Sequence, residues 1–387
     1  MKPFHCPNCT NLVHFDNETC LQCSFRLGYR PWANDMAAVG ADGAVITQEP
    51  ASPTAFFCDN VSHGVCNWMV EDNGEGTLCR ACRHNVMIPN LSVDGNIEHW
   101  AAMERAKRYA FYSLLRWNLP LPLPSEEGRS LAFTFAADVE APDGEVQKVM
   151  TGHDQGNITI NLAEADDAER ERMRLNMGEP YRTLVGHFRH ELGHFFWDML
   201  VDDGGKLDAC RAIFGDERRD YGEALQEHYQ NGAPAGWQND YVSTYATSHP
   251  WEDFAETWAH YIHMTDGLET ALSFGLRFDS RHLAAAGLEP AGANYDPYAA
   301  ASATELVDRW VPVTIALNSI NRSMGQHDIY PFVLSAAITQ KLEFIHQLIH
   351  QRWNVTRTPS PVLAQNATQD NSTNMQSAGE QNFLSGV

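Results

Sequence analysis

Apolar positions recur every three or four residues in five long stretches of the chain. This spacing places them on one side of a helix, so each stretch predicts an α-helix. The predicted helices cover residues 97–117, 181–201, 249–264, 308–325 and 331–353. The second of them is largely apolar, which is typical of a helix buried inside a domain.

Two shorter segments carry the signature of β-strands. Residues 131–140 alternate and contain Phe and Thr, and residues 157–162 repeat this pattern after a Gly-containing turn. The chain as a whole therefore predicts an α+β fold, mainly α, with a small antiparallel sheet and a helical C-terminal part.

Composition changes at both ends of the chain. Eight of the nine cysteines lie before residue 83, whereas residues 354–387 are rich in Asn, Thr, Ser and Gln. A polar segment of this kind cannot bury enough apolar surface to fold, so we expect a disordered tail. With 387 residues and 43% hydrophobic composition, the rest can build a sizeable core. We expect a cysteine-rich region at 1–90 and a larger domain at 91–353.

The charge of the chain excludes some partners. It has 27 Lys plus Arg against 50 Asp plus Glu, a formal net charge of −23. Such a surface repels phosphate backbones and anionic lipids, so we expect neither a nucleic-acid nor a membrane partner. The start of the sequence lacks the apolar core of a secretory signal, and no run approaches the ~20 apolar residues of a membrane span. We therefore expect a cytoplasmic protein.

The cysteines are spaced like zinc ligands rather than like free thiols or disulfide partners. Four thiolates in such spacing hold one tetrahedral zinc and leave no open position for water, so both sites would be structural. The predicted ligands are Cys6, Cys9, Cys20 and Cys23 of a first site, and Cys58, Cys66, Cys79 and Cys82 of a looser second site. His63 lies inside the second set and could replace one cysteine, whereas Cys210 stands alone as an inert packing thiol. The region 1–90 is thus predicted to be a zinc-ribbon module.

The buried helix at 181–201 contains the sequence HELGH. His190 and His194 are four residues apart, so both imidazoles can reach one cation. Glu191 lies beside them, where a carboxylate can take a proton from water on the metal. The pattern also arises by chance, but here it lies on an apolar helix without proline. His187 shares the same face and is predicted to be a packing residue or an outer contact of the site.

A zinc site of this type needs a third ligand, and the helix at 249–264 offers two candidates. Glu252, Glu256 and His260 fall on one face of it at intervals of four. Polar groups on an otherwise apolar helix are costly to bury without a partner, although a solvated acidic face is the alternative. We predict that Glu252 binds zinc and that Glu256 orients a ligand histidine. The opposite assignment stays open.

Several segments together resemble a known family. The cysteine-rich start, RHELGHFFWD, YGEALQEHYQNGAPAGW and SHPWEDFAETWAHY are similar to the bacterial zinc-binding metallopeptidases with an N-terminal zinc ribbon. The similarity covers the chain from about Phe4 to about Arg352. It implies a zincin-like peptidase domain, of the kind that binds zinc through HExxH and a downstream glutamate, at 91–353.

A more distant likeness concerns STYATSHPWEDFAE, which resembles a stretch of the anthrax lethal factor-like peptidases. In those proteins a tyrosine lies seven residues before the ligand glutamate, and Tyr245 lies seven before Glu252. The resemblance implies that Tyr245 donates a hydrogen bond to the reaction intermediate. The longer gap between His194 and Glu252 and the added ribbon separate this chain from them, so substrate choice does not carry over.

These observations predict a zinc metallopeptidase that acts on a peptide or protein, with one catalytic and two structural zinc ions. Glu191 is the expected general base. Residues 157–162 are the expected sheet edge, because zinc peptidases commonly pair an extended substrate with such a strand. The alternative is a zinc-ribbon protein that binds or regulates a partner and whose peptidase site is latent. The sequence predicts neither the substrate sequence nor the oligomeric state.

Overall fold

Two helices at the centre of the molecule pack at very short range. In this computed structural model they are α3 (Leu184–Trp197) and α6 (Pro250–Ser273). A Cβ atom built on Gly193 would lie 2.8 Å from Ala255 Cα and 3.1 Å from the Ala255 carbonyl oxygen. Only glycine lets the two backbones approach this closely. The contact brings the HELGH segment against the first turns of α6.

The structure describes most of the chain. The described residues are 1–48, 54–74, 76–126, 128–140, 146–177, 183–276, 284–285, 287, 292 and 294–351. The tail predicted at 354–387 lies outside them. Residues 1–350 form one compact unit. Among the helices described, none has the length and apolar character that crossing a membrane requires.

Capping residues fix the starts of both central helices. The Thr183 hydroxyl accepts a hydrogen bond from the Gly186 amide, so α3 begins at Leu184, later than the apolar pattern predicted. The Nδ1 atom of His249 accepts a hydrogen bond from the Trp251 backbone amide. Pro250 occupies the first turn of α6, as expected. Helix α6 then continues to Ser273, beyond the predicted end at Met264, because its core-facing residues continue to be buried.

A four-stranded sheet packs beside the helices. Its strands are β8 (Asn85–Met87), β9 (Ala132–Ala136), β12 (Gly152–Asp154) and β13 (Asn157–Asn161), in the order β12-β13-β9-β8. A separate antiparallel pair, β10 (Val139–Glu140) and β11 (Val146–Gln147), lies between β9 and β12 in the sequence. The β12–β13 pair is antiparallel, whereas β13–β9 and β9–β8 are parallel. The sheet in the larger domain is therefore mixed.

The prediction that residues 157–162 form the sheet edge is wrong. Strand β13 lies between β12 and β9, and the edge strand next to it is β12, with β8 at the opposite edge. Strand β12 is only three residues long, Gly-His-Asp, and has no alternation to reveal it. A two-residue turn joins it to β13, with both Gln155 (φ 48°) and Gly156 (φ 92°) in the left-handed region that such hairpins require.

Among its described residues, the cysteine-rich region is built from three small antiparallel sheets. Its strands are β1 (Phe4–His5), β2 (Leu12–Val13), β3 (Arg26–Arg30), β4 (Asp35–Val39), β5 (Val45–Ile46), β6 (Ala55–Phe57) and β7 (Met69–Glu71), paired as β1-β2, β3-β4-β5 and β6-β7. An aromatic cluster fills its centre. There Phe15 meets Tyr29 and Trp68 edge-on, with ring centroids 4.6 and 5.8 Å apart.

This region shares its core with the larger domain. Phe15 also contacts Tyr112 of helix α1 (Asn96–Arg116), with ring centroids 5.4 Å apart. In addition, strand β8 begins three residues after Cys82, the last cysteine of the second set, and joins the sheet of the larger domain. The two parts are therefore joined by packing as well as by chain connection.

The remaining helices surround the central pair. They are α2 (Asp167–Met177), α4 (Leu207–Phe214), α5 (Tyr221–Asn231), α7 (Ala303–Ser323) and α8 (Ala336–His350). A π-helical turn at Asp198–Asp202 follows α3 directly. A buried ion pair between Lys341 Nζ and Asp253 Oδ2, at 2.6 Å, ties α8 to α6. The predicted fold class, α+β and mainly α with a zinc-ribbon region first, is confirmed.

Candidate active site and structural metal centres

The eight N-terminal cysteines form two clusters of four, as their spacing predicted. In the first cluster, Sγ atoms lie 3.7 Å apart for Cys6 and Cys23 and 3.6 Å apart for Cys9 and Cys20. In the second, the Sγ atoms of Cys66 and Cys79 are 3.8 Å apart. Thiolates ~2.3 Å from a tetrahedral zinc are spaced by roughly 3.8 Å. The clusters fit zinc, and disulfides, which need ~2.05 Å, do not fit.

Backbone amides donate hydrogen bonds to sulfur atoms of the second cluster. The amides of Cys79 and Trp68 point at the sulfurs of Cys58 and Cys66, at 3.3 and 3.4 Å. His63, which could have replaced a cysteine, instead packs near Trp100, with ring centroids 5.8 Å apart. All four ligand positions in this cluster are therefore taken by cysteine sulfur.

The second cluster also contacts helix α1. Cys82 Sγ lies 3.7 Å from Glu104 Oε2, and Glu104 in turn accepts hydrogen bonds from Trp100, Lys107 and Asn85. Glu104 and Lys107 are both fully buried. This network joins the ribbon to the first helix of the larger domain.

Replacing Cys82 with Ser is therefore expected to destabilise more than the ribbon. Structural zinc sites contribute apparent binding energies of ~10–16 kcal/mol in small zinc-finger peptides, so the variant should lose one zinc and its unfolding temperature should fall. Cys210→Ser is the matched control, because Cys210 is also buried but lies outside both clusters. Metal analysis and calorimetry on both variants test this. A Cys82→Ser protein with its full zinc content would contradict the assignment.

A third cluster joins the two central helices. His190 and His194 of α3 and Glu252 of α6 place one ligand atom each within 4.8 Å of the others, and all three are buried. The two Nε2 atoms are 3.1 Å apart, and Glu252 Oε2 lies 2.9 Å from that of His190 and 3.4 Å from that of His194. The structure thus brings together the three predicted ligands.

The donor set of this cluster fits zinc. Nitrogen and oxygen ligands ~2.0–2.2 Å from a tetrahedral zinc are spaced by roughly 3.4 Å, close to the separations observed. Glu252 Oε2 is buried, yet no hydrogen-bond partner is found for it among the described residues. A buried carboxylate oxygen without a partner is costly, and a cation at the point where the three ligands meet would satisfy it.

Two further side chains hold the predicted ligands. Glu256 Oε1 lies 2.7 Å from Nδ1 of His190, and its other oxygen accepts a hydrogen bond from Ser243 Oγ. Tyr221 Oη donates to Glu252 Oε1 at 2.7 Å. Burial raises the pKa of Glu256, but His190 and Ser243 outweigh it and lower the pKa to about 2. Glu256 is therefore ionised and can orient the imidazole.

Glu191 lies beside the cluster but is not one of its three ligand residues. Its Oε1 is 3.2 Å from His187 Nε2, whereas its buried Oε2 has no hydrogen-bond partner among the residues described. Burial raises the pKa of Glu191, but His187 and the two ligand imidazoles hold it below its usual value. The carboxylate is therefore charged at neutral pH and has a free acceptor oxygen.

The cluster opens into a cleft of about 690 Å³, lined by α3, α5, α6 and the segment that contains β12. Tyr245 lies in its wall, with its ring centroid 5.9 Å from that of His190. Trp251 packs on His194 at 3.8 Å between ring centroids, and the ring of His153 of β12 lies close to both, 6.3 Å from His194 and 6.1 Å from Trp251. These aromatic rings fix the orientation of the His194 imidazole.

Sequence reasoning missed Tyr221, Ser243 and His153. Tyr221 begins α5 and lies within the segment YGEALQEHYQ that carried part of the family resemblance, which was its only signal. Its partner Glu252 is 31 residues away, and no helical or strand periodicity connects them. Only the folded arrangement reveals the contact.

The fold and its metal-ligand clusters define a zinc-ribbon protein with a helical metal-binding domain. A family model described as "Putative zinc-binding metallo-peptidase" matches residues 96–348, and a zinc-ribbon domain model matches residues 3–93. The chain belongs to this zinc-binding metallo-peptidase family. The resemblance stated from the sequence is thereby confirmed.

The chain also has similar proteins among the mycobacteria. One from Mycobacterium bovis and two from strains of Mycobacterium tuberculosis are each 38% identical over 355 residues, which covers 91% of this chain and 96% of each relative. Each is described only as an uncharacterized protein, so their names assign no activity. No solved structure matches the chain.

Proposed function

We propose that this protein is a zinc-dependent peptidase that hydrolyses peptide bonds in a peptide or protein substrate. One observation carries the proposal. Three ligand atoms from two helices converge on one point, and Glu191 beside them has a buried oxygen without a partner among the described residues. Both features face a cleft large enough for a peptide segment.

His190, His194 and Glu252 would hold the zinc, and three protein ligands leave one position for water or substrate. When bound, zinc supplies a Lewis acid that polarises the scissile carbonyl and makes water a nucleophile near neutral pH. Glu191, ionised and with a free oxygen, accepts the proton of that water and then delivers it to the leaving amine. In this proposal the metal ligands and the general base are different residues.

Tyr245 is the proposed donor to the oxyanion that forms during attack. Burial raises the pKa of Tyr245 well above its usual value, so its phenol keeps the proton it must donate. The edge strand β12 is the proposed partner of an extended substrate, because its outer side is unpaired within the described sheet. The peptide would then lie along the cleft.

Removing the zinc from the third cluster tests the proposal. We expect two histidines and a carboxylate to hold zinc less tightly than four thiolates do. A mild chelator should therefore remove the zinc of the third cluster first, and cleavage of an unfolded protein should stop. Adding zinc back should restore cleavage. Cleavage that continues after this zinc is lost would contradict the proposal.

The two tyrosines of the cleft are expected to differ in their effects. Tyr221→Phe removes the hydrogen bond to Glu252, and loss of such an outer contact typically lowers metal affinity or activity by ~10–100-fold. Tyr245→Phe removes an oxyanion donor, so kcat should fall by ~100-fold or more with zinc affinity unchanged. Zinc titrations and kcat measured on both variants distinguish them. If Tyr245→Phe bound zinc more weakly while Tyr221→Phe bound it normally, the roles assigned to the two tyrosines would have to be exchanged.

A further inference from the structure

A partly buried chain of polar contacts ends at Glu191, and the mechanism above does not use it. His187 lies one helical turn before Glu191, and its Nε2 is 3.2 Å from Glu191 Oε1. Its Nδ1 is 2.5 Å from Glu164 Oε2. Both ring nitrogens therefore face carboxylate oxygens, an arrangement that packing alone does not require.

The far end of this chain is fixed by the sheet. Glu164 lies in a short 3-10 turn directly after β13 and is buried. Its Oε1 accepts a hydrogen bond from the hydroxyl of Thr151. The same hydroxyl oxygen accepts a hydrogen bond from the backbone amide of Asn161, at 2.9 Å. The Glu164 carboxylate is thus held by the segment that leads into the edge strand β12.

The protonation state of His187 agrees with this geometry. Burial lowers the pKa of His187, but the Glu164 and Glu191 carboxylates outweigh burial and raise it to about 9. The ring then carries a proton on each nitrogen and donates to both carboxylates. One positive charge, on a partly exposed ring, lies between two buried carboxylates, and hydrogen bonds between charged groups are stronger than neutral ones.

We propose that His187, held by Glu164, is a positioning residue that fixes the carboxylate of Glu191 for proton transfer. Engaging Oε1 of Glu191 stops the carboxylate from rotating and leaves Oε2 as the acceptor. General-base catalysis depends on such alignment, because the base must lie within hydrogen-bond reach of the proton it takes. The inference rests on the proposed peptidase function and names a residue of the same site.

The test compares His187→Gln, Glu164→Gln and the double variant, all zinc-loaded, on one peptide substrate. Each single variant should keep its zinc and its KM while kcat falls by ~10–100-fold, the range for contacts that support a functional group. The double variant should be no slower than the slower single variant, because both changes break the same chain. His327→Gln, at an exposed position, is the matched control and should match the wild type.

Three outcomes would overturn this role for His187. They are an unchanged kcat in His187→Gln, multiplied losses in the double variant, and loss of zinc or a raised KM as the main effect. A wild-type chain that fails to hydrolyse any peptide would overturn the proposed function itself, and the role of His187 with it. An active wild type with unaffected variants would overturn the role of His187 alone.

Discussion

The Glu252→Ala variant is expected to lose the zinc of the third cluster and all peptide hydrolysis. Glu252 supplies the only carboxylate among the three clustered ligand residues, and its Oε2 lies within 3.4 Å of both imidazole nitrogens. Burial raises the pKa of Glu252, but the two histidines hold it well below its usual value, so the ligand is charged. Without it, only two imidazole ligands remain, too few for a stable zinc site.

Glu256→Ala is the matched comparison, because Glu256 lies one turn further along the same helix. It contacts Nδ1 of His190 rather than the point where the ligands meet. Loss of such a contact should lower zinc affinity or activity by ~10–100-fold, so the variant still binds zinc at micromolar metal. Metal content of the two purified proteins decides between the assignments. A zinc-free Glu256→Ala beside a loaded Glu252→Ala would mean that the two roles must be exchanged.

The Glu191→Gln variant is expected to keep its zinc and lose hydrolysis. The amide has nearly the same shape as the carboxylate but cannot accept the proton of water. General bases typically contribute 10²–10⁴-fold, so kcat should fall by at least ~100-fold. Zinc content and thermal stability should stay near those of the wild type, since Glu191 is not in the ligand cluster.

A control variant tests whether losing any buried carboxylate charge near the site lowers kcat, or only the loss of Glu191. The neutral variant Asp253→Asn changes a buried carboxylate on α6 that pairs with Lys341 and is not among the clustered ligands. We expect this change to lower stability without the same loss of kcat at temperatures where the protein is folded. If Glu191→Gln hydrolysed peptides at the wild-type rate, Glu191 could not be the general base.

Local patterns predicted those parts of the protein whose geometry depends on neighbouring residues. The spacing of His190 and His194 places both rings on one helical face whatever the rest of the fold, and CxxC spacing similarly fixes pairs of sulfurs. Helix α1 was predicted to within a residue at each end, as 97–117 against Asn96–Arg116. The long apolar periodicity of that helix made its limits clear.

Contacts between distant segments were beyond such patterns. The prediction of Glu252 rather than Glu256 as ligand had only helical spacing and a resemblance behind it, whereas in the structure the close approach of α3 and α6 at Gly193 sets Glu252 beside both histidines. The pairing of His187 with Glu164 spans 23 residues and depends on where the sheet ends. The edge strand β12 was missed because three residues are too few to show alternation.

The most direct test of the account is a cleavage profile on a peptide mixture derived from a whole proteome. Zinc-loaded wild-type protein, its Glu191→Gln variant and the metal-depleted wild type would be incubated side by side, and new peptide ends identified by mass spectrometry. The account predicts new ends with the zinc-loaded wild type alone. Equal cleavage by the Glu191→Gln variant, or no cleavage by fully zinc-loaded wild type, would contradict it.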